Sequence, residues 1–443
     1  MDFDVLFIGS GQGAYNGAIP MSQAGLKVAV AEEGRFGGVC TNRGCNAKIT
    51  LDRPVEILRQ VEQLQEKGFN GAPILNWEDL MAHKHEVIDG LSESNRMKLV
   101  NAGVTILTGH AKFVDDHTVS IDGHHYSSTK IVIVSGQHPH QMEIPGSELF
   151  HDSTDFLVTE HLPAKMAIIG GGYVAMESAT IANAFGCDVT VILRGTKVLR
   201  GFYQPYVQKI ISDLQSRGVK FNFSESIEQA RQTTAGIQLN GTDGYQLTAD
   251  YVLDASGRRP NVQNMDLDRI GLKFDEATGI EVDDHLQTNV PGIYATGDVI
   301  QKTVPKITPT AIFESLYLSH LFKQETTAAI NYPAIPHTVF TSPRIAAVGV
   351  EVAEAKAHPE KYHIVEFDYA TDWFRQVGNE TNGGITIVYD ADNIVVGAVS
   401  YGNDAVETIN GLTDIIENKT SHEDVERLLY IFPSIAHSYM RKV

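Results

Sequence analysis

Val5-Leu6-Phe7-Ile8-Gly9-Ser10-Gly11-Gln12-Gly13-Ala14 reads as an apolar strand, a glycine turn and the start of a helix. The pattern returns in Met166-Ala167-Ile168-Ile169-Gly170-Gly171-Gly172-Tyr173-Val174-Ala175, 161 residues later (170 − 9). In each copy the first glycine, Gly9 or Gly170, allows a tight turn. The second, Gly11 or Gly172, lets the backbone approach a pyrophosphate, and the small Ala14 or Ala175 lets helix pack on strand. Gly13 lies in the same turn. One such copy is a weak signal, because glycine turns between strand and helix are common. Two copies, each with a fitting residue at the end of its second strand, are a strong one.

Those second-strand residues differ. After the first copy comes Lys27-Val28-Ala29-Val30-Ala31-Glu32, and Glu32 can accept hydrogen bonds from an adenosine ribose. After the second comes Asp188-Val189-Thr190-Val191-Ile192-Leu193-Arg194, with Lys197 and Arg200 just beyond. A basic side chain where a ribose carboxylate would sit favours a 2′-phosphate. The first site therefore reads as an FAD site and the second as an NADPH site.

Outward from the first fingerprint lies Gly37-Gly38-Val39-Cys40-Thr41-Asn42-Arg43-Gly44-Cys45-Asn46-Ala47-Lys48. A cysteine pair placed there is positioned to exchange electrons with a flavin. The chain has three cysteines, far too few for a secreted disulfide framework. A close pair in a reducing compartment is catalytic or metal-binding, and no His or Cys cluster follows to complete a zinc site, so no metal is expected. Cys187, at a helix–strand junction, reads as a lone buried thiol.

The 443 residues allow about three domains, and 42% hydrophobic content is ample for a large core. A net charge of 35 − 55 = −20 argues against nucleic acid or an anionic membrane surface as partner. No apolar run is long enough to cross a bilayer, and no signal peptide is visible, which points to the cytoplasm. Leu51–Lys67 and Trp77–Val100 read as helices, with a kink expected at Pro20 in the first fingerprint helix. Val104–Ile121 and Thr129–Val134 read as short strands. Beyond Tyr332 come separated β runs (Ile345–Val350, Ile364–Phe367, Ile385–Tyr389, Ile394–Ser400) and helices at Ala405–Asn418 and His422–Leu429. The expected fold class is α/β: two Rossmann-like nucleotide-binding domains plus a C-terminal α+β dimerisation domain. The boundaries expected are 1–147 and 265–330 for the two parts of the FAD-binding domain, 148–264 for the NADPH-binding domain and 331–443 for the interface domain.

Over nearly its whole length the chain resembles the flavoprotein disulfide reductases, the family of glutathione reductase and dihydrolipoamide dehydrogenase. Gly37–Lys48 is similar to the family's active-site run. Ser135-Gly136 stands at its Ala-Thr-Gly strand end, Gly170–Glu177 at its NADPH motif, Ala295-Thr296-Gly297-Asp298 at its second FAD motif, and Thr308-Pro309 where it lines the flavin. The resemblance implies that Cys40 is the interchange thiol and Cys45 the charge-transfer thiol nearer the flavin. It further implies that Lys48 and Glu177 pair beside the flavin, that Tyr173 gates the nicotinamide pocket, and that Asp298 binds the ribityl chain. Arg194 and Arg200 fall on the arginines that bind the NADPH phosphate. Gly38, Gly257 and Gly297 complete the expected cofactor-binding set.

Two departures bear on the acceptor. The family's C-terminal His-Pro-Thr-x-x-Glu, whose His comes from the other subunit, is here Phe432-Pro433-Ser434-Ile435-Ala436-His437. Phenylalanine transfers no proton; His437, where the family has its Glu, is either a proton carrier reaching the thiols from the other subunit or a surface or interface histidine. Ile19 and Leu316 stand where glutathione reductase has carboxylate-binding arginines. The expectation is a homodimeric, NADPH-dependent FAD enzyme that passes electrons through Cys40 and Cys45 to a small acceptor. A disulfide other than glutathione disulfide, an oxidised halogen species or a soft metal ion fits. An oxidase or quinone reductase, in which the flavin reacts directly, and a non-catalytic binding protein are the alternatives.

Overall fold

The alternation of apolar strand and glycine turn fixes how the chain starts. In the computed structural model, which describes residues 1–443, Phe3–Ile8 forms strand β1, Gln12–Gln23 helix α1 and Val28–Glu32 strand β2. The chain divides into two units. One holds Met1–Lys48, Ala82–His140 and Gly257–Tyr332, the other Ile49–Met81, Gln141–Ser256 and Pro333–Val443.

In the first unit β1 is central, parallel to β2 (Val5 opposite Val28) and to His124–Ile133 (Val5 opposite Lys130). Thr105–Thr108 extends the sheet beyond β2, and Ile293–Ala295 pairs with His124–Ile133. Continuous burial of Val5–Ile8 and Val28–Ala31 is what a parallel sheet covered on both faces requires. Helix α1 packs against Thr308–Phe322. A Cβ on Gly17 would lie 2.5 Å from the Ser315 Oγ and 2.8 Å from its carbonyl, so only glycine permits that approach.

The second unit repeats the nucleotide-binding grammar. Lys165–Ile169, Asp188–Leu193, Lys220–Phe223 and Tyr251–Asp254 form a parallel sheet, with helix Tyr173–Ala184 after its glycine turn. Gly9 and Gly170 end their strands with φ of +109° and +135°. Further along lies a five-stranded antiparallel sheet ordered His337–Val339, Arg344–Gly349, Val395–Gly402, Gly384–Asp390, Tyr362–Asp368. Helix Ala405–Glu417 packs on it through Ala405, Ile409 and Leu412. This α/β fold with an α+β C-terminal part agrees with the expected class.

Several expected boundaries shift. Trp77–Val100 is two helices, Trp77–Ile88 and Leu91–Asn101, separated at Asp89-Gly90. His422–Leu429 ends as a helix at Glu426. The Leu51–Lys67 helix starts at Cys45 and ends at Gln63. Pro20 lies in the last turn of α1, which runs to Gln23, and the Ala24 N–H reaches the carbonyls of Pro20 and Met21. Pro20 removes one helical donor, the one that would reach the Asn16 carbonyl, yet α1 continues through it to Gln23. No helix is long and apolar enough to cross a membrane.

Candidate active site

Helix α2 (Gly38–Arg43) carries Cys40, and helix α3 (Cys45–Gln63) begins with Cys45. The loop leading into α2 is tied to the first fingerprint through Ser10. Its Oγ donates to the Glu32 Oε2 at 2.6 Å and accepts from the Gly37 N–H at 3.2 Å, and its N–H donates to the same Glu32 oxygen at 2.9 Å. The Gly34 N–H holds the other oxygen at 2.8 Å. Glu32 is thus fixed at the end of β2, where a ribose would meet it. Asn42 pins α2 by donating to the carbonyls of Phe36 and Gly38, both at 2.9 Å.

The two thiols hydrogen-bond to each other, and the proton stays on Cys40. That bond lowers the Cys45 pKa to about 6 against the opposing effect of burial, helped by the Thr308 hydroxyl and the Lys48 charge. The same bond, with burial, pushes Cys40 up. Thr308, first residue of the helix Thr308–Phe322, has its Oγ1 3.6 Å from the Cys45 Sγ. Cys45 therefore stands at a helix start beside a lysine and holds the thiolate, as a redox-active thiol should. Cys187 is buried, its pKa pushed up to about 12 by burial and by Asp188 and Asp250. It is an inert core thiol.

The first unit also offers a cofactor cradle. A Cβ on Gly38, whose φ is +64°, would sit 2.8 Å from the Gly11 Cα, so the two backbones close to a distance only glycines allow. The α1 N-terminus, capped by no side chain, lies at that contact. Gly136 has nothing within 4 Å of its Cβ position, and Ser135 donates to the Asn261 carbonyl at 2.7 Å. The partly buried Asp298 carboxylate takes no hydrogen bond from the protein. Burial raises its pKa, while Lys302, Arg258 and Lys306 pull it down. An anion-binding helix start, a fixed ribose acceptor and an unpartnered carboxylate fit FAD. Gly257 follows the strand Tyr251–Asp254 and precedes Arg258, whose guanidinium donates to the Gln137 carbonyl at 2.8 Å.

The second unit carries the other expected set. Gly172 precedes helix Tyr173–Ala184 with no side-chain cap, and Tyr173 is half exposed at its first position. Glu177 is buried in that helix and accepts from the Phe340 N–H at 2.9 Å. Arg194, Lys197 and Arg200 are exposed and form no ion pair. In a chain of net charge −20, three cations without carboxylate partners beside a fingerprint suit a nucleotide phosphate. His437 lies in the short helix Ile435–Met440 with its ring edge-on to Phe432 at 5.0 Å. Phe432 contacts Trp373 at 6.0 Å, and both are more than half exposed.

Residues 3–315 match the pyridine nucleotide-disulphide oxidoreductase family, and residues 335–443 its dimerisation domain. The chain belongs to that family. The family's enzymes use FAD and NAD(P)H, and the chain is a flavoprotein disulfide oxidoreductase that dimerises through its C-terminal domain. A chloroplastic/mitochondrial glutathione reductase of Pisum sativum is 31% identical over 458 residues, covering 99% of this chain and 82% of that protein. Glutathione reductase of Burkholderia cepacia is 30% identical, covering 99% and 98%. A Staphylococcus aureus dihydrolipoyl dehydrogenase is 28% identical over 99% and 96%. The solved HOCl-induced flavoprotein disulfide reductase RclA from Escherichia coli shares the fold at a TM-score of 0.90. It is 23% identical and covers 100% of this chain and 99% of that one.

Asn42 lies within the Gly37–Lys48 run, whereas Ser10 and Lys302 are not singled out by the sequence alone. Ser10 occupies the variable position between two fingerprint glycines, and that placement was the one available signal.

Proposed function

We propose that this family member is NADPH-dependent and reduces a small electrophilic acceptor other than glutathione disulfide through Cys40 and Cys45. The observation that carries the proposal is the thiol pair itself, Cys40 on α2 and Cys45 at the start of α3, with the Thr308 hydroxyl 3.6 Å from the Cys45 sulfur. FAD is to be held by the Gly9–Ala14 turn, Glu32, Gly38, Ser135-Gly136, Gly257 and Gly297-Asp298. When bound, it supplies the two-electron link between the nucleotide and the Cys40–Cys45 disulfide. NADPH is to lie on Gly170–Tyr173 with its 2′-phosphate on Arg194 and Arg200, Lys48 and Glu177 flanking the redox centre. The domain limits at 147, 264 and 330 go with that division of labour.

Cys40 reacts with the acceptor and Cys45 resolves the adduct. With a disulfide acceptor, the Cys40 sulfur attacks one acceptor sulfur, the acceptor S–S bond breaks, and the released thiolate takes up a proton. Cys45 then attacks Cys40, releasing the second thiolate and restoring the disulfide. Cys40 must lose a proton first, and Phe432 offers no base to take it. An acceptor that is a strong electrophile or carries a good leaving group lessens that need. His437, whose ring packs edge-on to Phe432, is the candidate to move that proton.

The test is NADPH consumption by the purified holoenzyme with glutathione disulfide, another low-molecular-weight disulfide, an oxidised halogen species, Cu(II) and a quinone. Fast turnover of a thiol-reactive acceptor other than glutathione disulfide, lost in Cys40→Ser, supports the reading, and fast turnover of glutathione disulfide overturns it. Fast turnover of the quinone alone, retained in Cys40→Ser, identifies direct flavin reactivity instead.

A further inference from the structure

Glu314 is a carboxylate with no exposed surface, midway along the helix Thr308–Phe322, and nothing in the fingerprints assigns it a role. Its Oε2 accepts from the Thr296 Oγ1 at 2.9 Å and from the Gly297 N–H at 2.7 Å. Its Oε1 accepts from the Lys302 Nζ and the Tyr332 hydroxyl, at 2.7 and 2.8 Å. Lys302 is itself 6% exposed, so the ion pair is buried on both sides. A buried charge is tolerated only when paired and fully hydrogen-bonded, and this one is. Such a pair is a poor source of stability compared with apolar packing of the same volume, so what it fixes in place becomes the question.

It fixes three things. The Thr296–Gly297 backbone precedes Asp298, and Glu314 takes the N–H of the residue immediately before it. Lys302 is held beside Asp298, whose charge it offsets. The helix that carries Glu314 begins at Thr308, the residue that reaches the Cys45 sulfur.

We propose that Glu314 is a positioning residue of the redox centre, setting the Asp298 turn for FAD and, through its helix, the Thr308 contact to Cys45. This rests on the placement of Asp298 against FAD given above. The test compares Glu314→Gln, Thr296→Val and Asp298→Asn with the parent. It measures FAD dissociation after reconstitution, the thermal midpoint of the apoprotein, and the pH midpoint of the thiolate–flavin charge-transfer absorbance in the reduced enzyme. Glu314→Gln should weaken FAD binding by roughly tenfold or more and displace the charge-transfer midpoint, since hydrogen bonds to a charged group are lost. Thr296→Val keeps the ion pair and removes one donor, and should weaken FAD binding by a smaller factor. Should Glu314→Gln fail to fold, Thr296→Val decides alone. Parent-like FAD affinity and charge-transfer midpoint in the folded Glu314→Gln and Thr296→Val variants, with only the thermal midpoint lowered, would overturn the proposal, while weakened FAD binding in Asp298→Asn would uphold the placement of Asp298 against FAD. An unimpaired Asp298→Asn would remove the placement itself and the inference with it.

Discussion

At the scale of single residues, the hydrogen bond between the two sulfurs sets which of them carries the charge. Cys45 ionises at about pH 6 because Cys40 donates to it, with Thr308 and Lys48 adding to the effect. Its pKa is depressed, so the thiolate is present above pH 6 and lost below. The charge-transfer absorbance of the reduced enzyme should therefore fade as pH drops through about 6. Lys48→Met and Thr308→Val should each move that midpoint upward, read by absorbance titration; a midpoint unmoved by either would contradict the assignment. Nucleotide choice is also a residue-scale matter. A charged contact to phosphate contributes about 1.5–3 kcal/mol, so Arg194→Ala and Arg200→Ala should each cut the NADPH preference by on the order of tenfold, measured as the ratio of kcat/KM for NADPH and NADH.

Among the secondary elements, the junction of α1, α2 and the glycine turns is the least forgiving place. Gly38→Ala would put a Cβ against the Gly11 backbone at a left-handed φ, at a strain of order 1–3 kcal/mol. The variant should purify with much less FAD, seen in the flavin-to-protein absorbance ratio, while Gly136→Ala, which meets open space at its own left-handed φ, should lose less. These glycines were legible because backbone geometry admits few substitutes for them. The break at Asp89-Gly90 was not, because one glycine inside a helical pattern is tolerated. Ser10 and Glu314 were hidden for another reason: a serine or a glutamate acquires meaning only from the partners that folding brings, here Glu32 with Gly37 for one and Lys302 with Gly297 for the other. Charge-free spacing along the chain carries no trace of those pairings.

For the whole molecule, the dimerisation domain carries an aromatic group where the family resemblance sets a proton-transferring histidine. Phe432 sits in ring contact with both Trp373 and His437, and Asp372 ties the segment down by accepting from the Phe374 N–H, the Ser438 hydroxyl and Lys442. General acid–base catalysis is worth about 10²–10⁴-fold, so glutathione disulfide should turn over slowly and Phe432→His should raise its kcat at least tenfold. Rapid turnover by the parent, abolished in His437→Ala, would show that the proton path had moved to His437.

The central claim is that electrons reach the acceptor through Cys40 and Cys45. Anaerobic titration of the purified holoenzyme with NADPH tests it most directly. Uptake of two electron pairs per flavin, with a long-wavelength charge-transfer band appearing after the first and persisting in Cys40→Ser, is the predicted result. Bleaching of the flavin after a single pair, with no such band, would contradict it.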